Sequence, residues 1–418
     1  MTNLLDRRNR AFGKGSALFY RDPIQIVRGS GVELEDESGR TYIDMYNNVP
    51  CVGHAHPHVV AAMHKQASTL NVHSRYLHED IVRLAERLTD LHGENIESVV
   101  FTCSGTEANE VAMNMARIAT GGEGFLCTDS AYHGNSLQVS QLTYVPTERQ
   151  EIVRSIPFPE QFRPIIEGNE TAICEAYLDK LQQTIDGFAA ADIPFAGMLV
   201  CSILANEGLP NIPGDFMARA SELVHKAGGL VISDEVQAGY CRTGQWWGYN
   251  VSGLQPDIVV TGKPMGNGLP LAACAASREL VEKYRAKTRY FNTFASSPLQ
   301  AAAGNAVLDV IEGEQLADSV SEVGQYLKNE LIALVDQCPN LAEVRGHGLF
   351  IGLEWVSDKT SNAPDVEGAI DIVNALKDRG YLTSNAGAHN NIVKIRPPLV
   401  FKQEHADGFL AAFKDCIA

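Results

Sequence analysis

The sequence lacks any run of 18 apolar residues, and its first twenty residues contain no uninterrupted apolar segment of the signal-peptide kind. We therefore predict neither a membrane span nor export, and we expect a cytoplasmic protein. Basic residues are also scarce, with 34 Lys and Arg against 51 Asp and Glu. The net charge of −17 disfavours binding to nucleic acid or to an anionic membrane, which requires clustered basic side chains.

The nine cysteines form no CxxC pair and are widely scattered. This pattern is typical of reduced thiols that fill a core, and it does not fit a zinc ribbon. His54, His56 and His78 have no matching cysteine or carboxylate pattern around them. Hydrogen-bonded histidines are therefore favoured over a metal site, and no metal is predicted.

What is present is an alternation of short apolar strands and helical stretches. Strands are predicted near 98–102, 197–200, 229–233 and 257–261, and the residues between them have helical apolar spacing. This alternation indicates an α/β fold in which a mostly parallel sheet is flanked by helices.

The two ends of the chain show a more mixed pattern. Alternating residues over 32–44 predict a hairpin, and the C-terminal part predicts a long helix over about 297–335, a glycine-punctuated strand pair, a helix over 366–379 and a strand over 391–396. We expect a large domain over residues 51–310 and a smaller α+β lobe built from residues 1–50 and 311–418.

Unusual residues follow several of the predicted strands, and ligands of open parallel sheets bind at the carboxyl ends of strands. Ser104, Gly105 and Thr106 follow the first strand and begin a helix. Backbone N–H groups and the helix dipole at such a position can cradle a phosphate. The alternative is a serine or threonine helix cap with no ligand.

Asp234 and Lys263 each follow a further strand. A carboxylate at a buried strand end requires a cationic or N–H partner, which a protonated pyridine nitrogen can supply, although an internal salt bridge or a helix cap is the alternative. Lys263 stands among Gly, Pro and Met, where desolvation lowers the pKa of an amine and makes it nucleophilic. Its alternative is a surface lysine in a glycine-rich turn.

A phosphate cradle, an anion for a ring nitrogen and an amine for an aldehyde together match the requirements of pyridoxal phosphate. Tyr132 lies beyond another predicted strand and offers an aromatic face to the pyridine ring. A core tyrosine in a loop is the competing interpretation.

These residues stand in motifs that resemble the class III aminotransferase family of fold-type I pyridoxal-phosphate enzymes, from about residue 18 to beyond 400. The motifs are Ser104–Asn109 (SGTEAN), Tyr132–Gly134 (YHG), Asp234–Gly239 (DEVQAG), Arg242–Gly244 (RTG), Gly262–Gly268 (GKPMGNG) and Asn292–Phe294 (NTF).

The resemblance implies a role for each matching residue. Lys263 carries the covalent link to the cofactor and moves protons, Asp234 holds the pyridine N–H, and Tyr132 stacks on the ring with His133 beside it. Gln237 lies near the phenolic oxygen of the cofactor. The phosphate is bound by Ser104, Gly105 and Thr106, and by Thr293 of the neighbouring subunit, which implies a homodimer with shared active sites.

Further motifs resemble the phospholyase branch of the family, which includes ethanolamine-phosphate phospho-lyases. They are Tyr46–His54 (YNNVPCVGH), Ser74–His78 (SRYLH), Tyr290–Phe294 (YFNTF) and Gly348–Gly352 (GLFIG). Cys201-Ser202 replaces a Glu-Pro or Glu-Ser pair of many class III aminotransferases, which weakens the case for 2-oxoglutarate as a substrate. Ala295 to Pro298 also departs from the glycines usual in the family.

Four residues are predicted to bind the substrate. Arg396 matches the family's substrate-anion arginine, whose fork can hold a carboxylate, phosphate or phosphonate, although a strand-end salt bridge is the alternative. Tyr20, Asn48 and Arg75 are further candidates at the mouth of the pocket.

The resulting hypothesis is a lyase that eliminates from a small anionic primary amine bearing a phosphate or phosphonate, and releases ammonia and an aldehyde. The leaving group is either phosphate or a β-hydroxyl. The alternative is an aminotransferase that moves an ω-amino group to pyruvate or a similar oxo-acid. A cofactor-binding protein without turnover is a third class, disfavoured by the presence of both Lys263 and Asp234.

Overall fold

The structure is a computed structural model that describes residues 4–143 and 149–417. The strands in these residues are β1 (Ile26–Ser30), β2 (Glu33–Asp36), β3 (Thr41–Asp44), β4 (Ser98–Thr102), β5 (Gly124–Thr128), β6 (Val153–Ile156), β7 (Phe195–Val200), β8 (Leu230–Asp234), β9 (Ile258–Thr261), β10 (Ala272–Ala276), β11 (Leu341–His347), β12 (Phe350–Asp358), β13 (Ala363–Pro364), β14 (Tyr381–Leu382), β15 (Ser384–Ala386) and β16 (Ile392–Ile395).

The α-helices alternate with these strands through the middle of the chain. They are α1 (Leu4–Phe12), α2 (Pro57–Ala67), α3 (Glu79–Asp90), α4 (Gly105–Thr120), α5 (Glu170–Ala190), α6 (Phe216–Lys226), α7 (Gly248–Ser252), α8 (Arg278–Thr288), α9 (Pro298–Gly313), α10 (Leu316–Ile332), α11 (Val366–Asp378) and α12 (Gln403–Ile417).

A seven-stranded sheet in the order β4-β10-β9-β8-β7-β5-β6 forms the centre. Strand β10 runs antiparallel to both of its neighbours, and the pairs from β9 to β6 are parallel. The predicted α/β class with a mostly parallel sheet is therefore confirmed. Strand β10 was not predicted, because its sequence AACAA has neither alternation nor branched residues.

Helices cover both faces of this sheet. Leu199 of β7 packs in a cluster with Val111 and Ala112 of α4, whereas its neighbour Met198 faces the opposite cluster, which includes Leu181 of α5. Successive strand residues point to opposite faces. Because both faces are buried, the strands are continuous apolar runs.

Two smaller sheets are built from the ends of the chain. Strands β2 and β3 form the predicted hairpin, and Ile43 of β3 pairs in parallel with Tyr381 of β14. The other small sheet has the order β11-β12-β16-β15, with β13 paired to β12. N-terminal and C-terminal residues therefore share one sheet.

The long helix predicted over about 297–335 is wrong, because the structure breaks it into α9 and α10. Gln315 adopts a left-handed backbone with φ of +52° between the two helices. Both helices bury an apolar face, so their spacing alone does not reveal the break.

The parallel strands of the central sheet end at one edge. Residues that follow β4, β5, β8 and β9 therefore meet there, although they are far apart in sequence. Within residues 4–143 and 149–417, no helix is both long and apolar enough to cross a membrane.

Helix α10 approaches the turn between β11 and β12 so closely that only glycine fits at Gly324. A Cβ at this position would overlap the Gly348 carbonyl. We expect Gly324→Ala to lower the free energy of unfolding by roughly 1–3 kcal/mol, as overpacking does. Gly313→Ala is the control, because its Cβ meets open space and alanine is the better helix former. Equal stability of the two variants in urea unfolding would contradict this packing.

Candidate active site

A cavity of about 340 Å³ lies at the carboxyl edge of the central sheet. Eight of the residues predicted for the site line it: Ser104, Gly105, Thr106, Tyr132, His133, Asp234, Gln237 and Lys263. The sheet topology brings these residues together, since they follow four different strands.

Asp234 is 5% exposed and is held by three hydrogen-bond donors. Its Oδ2 lies 2.7 Å from His133 Nδ1 and accepts a hydrogen bond from Asn109 Nδ2 at 3.0 Å, while Oδ1 accepts one from the Val236 N–H at 3.1 Å. Burial raises the pKa of Asp234, but these hydrogen bonds outweigh it and the pKa lies below its ordinary value. The site therefore contains a fixed buried carboxylate.

Lys263 follows β9 and faces the same cavity. Burial lowers the pKa of its amine, and the nearby positive charge of Arg396 lowers it further, against the opposing effect of Asp234. A larger fraction of this amine is therefore neutral at a given pH than for a surface lysine. A neutral amine can attack a carbonyl or accept a proton.

The first turn of α4 forms one wall of the cavity. Ser104 is the helix cap, because its Oγ accepts a hydrogen bond from the Glu107 N–H at 3.2 Å; a serine hydroxyl that accepts one bond can still donate another. A Cβ at Gly105 would lie 2.8 Å from Val236 Cγ2, so a larger residue does not fit. The N–H groups of the first helical turn have no partner within the helix.

Tyr132 and Val236 line the cavity from two further loops. Tyr132 is 43% exposed, and its hydroxyl donates to Asn135 Oδ1 at 2.8 Å. The intervening Gly134 has φ of +147°, and a Cβ there would overlap Thr106. Glycine is therefore required for the Tyr132 loop to approach the start of α4.

Arg396 does not line the cavity itself but contacts a residue that does. Its Nη1 donates to Gln237 Oε1 and its Nε to the Tyr46 carbonyl at 3.0 Å. Gln237 in turn donates to Asn206 Oδ1 at 3.3 Å. The guanidinium lies over the rings of Tyr46 and Phe350, buried behind the amide of Gln237.

The other four predicted site residues do not line the cavity. Tyr20 donates its hydroxyl to the Thr383 carbonyl, and Arg75 lies over the Phe291 ring. Asn48 is buried next to the cavity residue Val49, and its Nδ2 has no hydrogen-bond partner. Thr293 is exposed on the segment between α8 and α9.

Three polar residues of the site and its surroundings have no role predicted from the sequence. Asn109 is buried on the apolar face of α4, and a polar residue at such a position was a detectable signal. Glu207 lines the cavity from the loop after β7, and Lys394 of β16 is buried nearby. No motif marks Glu207, whereas Lys394 lies in the predicted strand 391–396, two positions before Arg396, and no feature of that strand indicates that it approaches Glu207.

Glu207 and Cys201 come from the same connection. Glu207 Oε1 accepts a hydrogen bond from Thr128 Oγ1 at 2.6 Å. Cys201, at the position where the family resemblance leads one to expect a glutamate, is buried, and burial raises the pKa of its thiol. A glutamate is therefore present near that strand end, but six residues later in the chain.

The residues of this cavity fit a pyridoxal phosphate group. The Asp234 carboxylate can hold a ring N–H, the Lys263 amine can meet an aldehyde, and the N–H groups that begin α4 can hold a phosphate. Tyr132 and Val236 are available for the two faces of a ring.

Comparison with known proteins agrees with this chemistry. The family profile described as aminotransferase class-III matches residues 19–417. The chain belongs to the class III aminotransferase family. It has the fold-type I architecture of that family, and it is a pyridoxal-phosphate-dependent enzyme.

Three similar proteins illustrate the range of the class III aminotransferase family. The Drosophila melanogaster protein "Alanine--glyoxylate aminotransferase 2-like" is 33% identical, covering 100% of this chain and 87% of that protein. The Caenorhabditis elegans "Ethanolamine-phosphate phospho-lyase homolog 1" is 32% identical, covering 96% and 90%. The solved structure of an Arthrobacter phospholyase in complex with phosphoethanolamine superimposes with a TM-score of 0.96 at 38% identity, covering 99% of both chains.

The contribution of the His133 hydrogen bond to the Asp234 carboxylate can be tested by substitution. We expect His133→Phe to lower the free energy of unfolding at pH 7 by roughly 1.5–3 kcal/mol, because it removes a hydrogen bond to a buried charge. A carboxyl whose pKa is lower in the folded state stabilises the folded protein at pH values above its unfolded-state pKa of about 3.9. The difference from the wild type should therefore persist to about pH 5 and shrink as the pH falls below 3.9.

The control is Tyr132→Phe, which removes only an exposed hydroxyl and should change stability by about 0.5 kcal/mol or less. Urea unfolding between pH 3 and pH 7 measures both variants. A pH-independent loss in His133→Phe would show that its hydrogen bond does not depress the pKa of Asp234.

Proposed function

We propose that the protein is a pyridoxal-phosphate-dependent lyase that releases ammonia and an aldehyde from a small primary amine bearing a phosphate or phosphonate. The observation that carries this proposal is a pair of buried cations, Lys394 and Arg396, beside the Lys263 cavity. The likeness to a phospholyase solved with phosphoethanolamine supports it.

The two cations lack the partners that buried charges usually have. In the part of the chain that the structure describes, no carboxylate lies within 4.0 Å of Lys394 or Arg396. Arg345 shows the ordinary arrangement, since it pairs with Glu343 at 2.7 Å and Glu354 at 2.6 Å. An unpaired buried charge is costly, and a bound anion would compensate it.

The pKa of each cation is also lowered, and a nearby anion would raise it again. Burial lowers the pKa of Lys394 well below its ordinary value, and the positive charge of Arg396 lowers it further. Burial likewise lowers the pKa of Arg396. A phosphate or phosphonate next to both groups would favour their charged forms. Arg396 thus acts as the predicted substrate-anion residue, with Lys394 beside it.

In the proposed reaction, Lys263 and Asp234 have different roles. The Lys263 amine accepts the proton from the amine-bearing carbon, and Asp234 keeps a ring nitrogen protonated through its fixed negative charge. Pyridoxal phosphate, when bound, supplies an electron sink for the broken C–H bond. If the adjacent carbon carries a leaving group, elimination follows, and hydrolysis of the product gives ammonia and an aldehyde.

An aminotransferase that uses pyruvate or a similar oxo-acid is the second candidate. The names of relatives from Drosophila, Arabidopsis and human favour it, since all three contain alanine--glyoxylate aminotransferase. Because the early steps are common to both reactions, the fate of the amino group distinguishes them.

The active unit in this proposal is a homodimer in which Thr293 reaches the cofactor phosphate of the neighbouring subunit. Its surroundings support an interface, because Phe294 is 67% exposed and Leu77 is fully exposed. The two segments are in contact, because the exposed Tyr76 and Phe291 both pack against His73, and a contiguous exposed apolar patch marks an interaction surface. A cytoplasmic location stays a prediction, since the Arabidopsis and human relatives are named as mitochondrial.

One assay separates the two candidate functions. Purified enzyme is incubated with ethanolamine phosphate, with 2-aminoethylphosphonate and its 1-hydroxy derivative, and with ω-amino acids, each with and without pyruvate. We expect ammonia and an aldehyde from an anionic substrate without any oxo-acid. Alanine formation that strictly requires pyruvate would establish the aminotransferase instead.

The assignment of Lys263 is tested by covalent trapping. Borohydride reduction of the holoenzyme followed by peptide mapping should place the cofactor on Lys263, because its pKa is lowered and it faces the cavity. Lys263→Ala should lose both the adduct and the absorbance band near the violet edge, while the control Lys402→Ala, at an exposed position, should keep both. An adduct on another lysine would contradict the assignment.

A further inference from the structure

Glu207 is a buried glutamate of the cavity with one unused oxygen. It is 3% exposed, its Oε1 accepts from Thr128 Oγ1 at 2.6 Å, and its Oε2 has no hydrogen-bond partner. It lines the same cavity as Lys263. A buried polar atom without a partner is costly, and it indicates a group that is completed by a ligand.

Another buried glutamate shows what a purely structural role looks like. Glu235 Oε1 accepts from the hydroxyls of Ser202 at 2.6 Å and Ser233 at 2.8 Å, and its Oε2 accepts from the Gly248 N–H at 2.7 Å. Both of its oxygens are thus satisfied within the protein. Glu207 differs because its second oxygen is left unsatisfied beside the cavity.

The surroundings of Glu207 favour a protonated carboxyl. Burial raises the pKa of Glu207. The hydrogen bond from Thr128 and the electrostatic effects of His133 and Lys394 lower it, but burial has the larger effect. The thiols of Cys201 and Cys127 are the other titratable groups influenced by it, and the pKa of each is raised. A carboxyl with a raised pKa keeps its proton to a higher pH than an ordinary glutamate, and a protonated carboxyl can act as an acid.

The positions of the charged groups suggest an order along the substrate. Asn206, Glu207, Gln237 and Lys263 all line the cavity, and Arg396 reaches this group through hydrogen bonds, since it donates to Gln237, which donates to Asn206 at 3.3 Å. In an amine whose hydroxyl-bearing carbon is bonded to phosphorus, that carbon lies between the amine-bearing carbon and the anion. With the anion on the Arg396 side and the amine at Lys263, we expect the hydroxyl to meet the unpartnered Oε2 of Glu207 in the same cavity.

We propose that Glu207 is the general acid that protonates a β-hydroxyl leaving group, and that the substrate is therefore a 2-aminoalkylphosphonate hydroxylated on the carbon next to phosphorus. This inference rests on the proposed lyase function and names its substrate class. Hydroxide is too basic to leave unaided, since the pKa of water is about 15.7. Phosphate is a far weaker base and needs no proton from the protein.

The elimination can be written with Lys263, Glu207 and water as the only groups that exchange protons. The C–H bond at the amine-bearing carbon breaks and its proton goes to the Lys263 amine, while the electron pair forms the carbon–carbon double bond. The C–O bond breaks with its electrons on oxygen, which takes the Glu207 proton and leaves as water. The protonated Lys263 amine then gives its proton to the carbon next to phosphorus, and Glu207, left as a carboxylate, regains a proton from solvent. Addition of water to the resulting imine releases ammonia and the aldehyde.

The test compares leaving groups in wild type and Glu207→Gln. With 2-amino-1-hydroxyethylphosphonate, we expect the variant to release ammonia roughly 100- to 10,000-fold more slowly, the usual contribution of a general acid. With the 1-fluoro analogue, whose fluoride is a weak base that leaves unprotonated, the rate should fall by less than about threefold. The control is Glu160→Gln, because Glu160 is also buried, and burial raises its pKa to about 7, but it does not line the cavity.

A measurement without turnover supports the assay. In an infrared pH titration, the wild type should show a protonated-carboxyl band that Glu207→Gln lacks and that persists to a higher pH than the band of an ordinary glutamate. A spectrum unchanged by the substitution, or an equal loss of rate with the hydroxy and fluoro substrates, would overturn the role of Glu207 while leaving the lyase intact. If the wild type releases ammonia from neither compound nor from ethanolamine phosphate, the lyase function itself fails.

Discussion

The buried carboxylate of Asp234 is the constraint on which the site depends. A charge removed from water must be fully partnered, and its partners here come from three segments: the His133 loop, helix α4 through Asn109, and the backbone of Val236. The carboxylate can hold its position only if α4 packs correctly on the central sheet. The chemistry of the site is therefore tied to the packing of the core.

The remaining charges of the site are balanced less completely. Lys394 and Arg396 are buried cations and Lys263 is half-buried, and no carboxylate approaches Lys394 or Arg396 closely in the described residues. Burial lowers the pKa of all three. Such arrangements cost stability, and they concentrate at functional sites because a substrate compensates them. The substrate we propose, which carries both an amine and an anion, would supply that compensation.

Local sequence patterns were sufficient for several elements. Four predicted strands correspond to β4, β7, β8 and β9. They are apolar runs bounded by polar or glycine-rich segments, and this pattern indicates burial on both faces. Strand β10 cannot be predicted in the same way, because its small residues give little periodic pattern. In the structure it lies between β4 and β9 and pairs with both. The break at Gln315 was equally hidden, since apolar spacing continues across it.

The order of residues along the chain is enough to identify those with the chemistry of a cofactor site, because Lys263, Asp234 and the start of α4 each follow a strand, and parallel strands end at one edge. The family is also recognisable from motifs that are local in the chain. Which distant groups join these residues depends on the folded arrangement. Glu207 and Lys394 lie 187 residues apart and no local pattern links them; their effect arises from shared burial, which depends on how the chain folds rather than on neighbours in sequence.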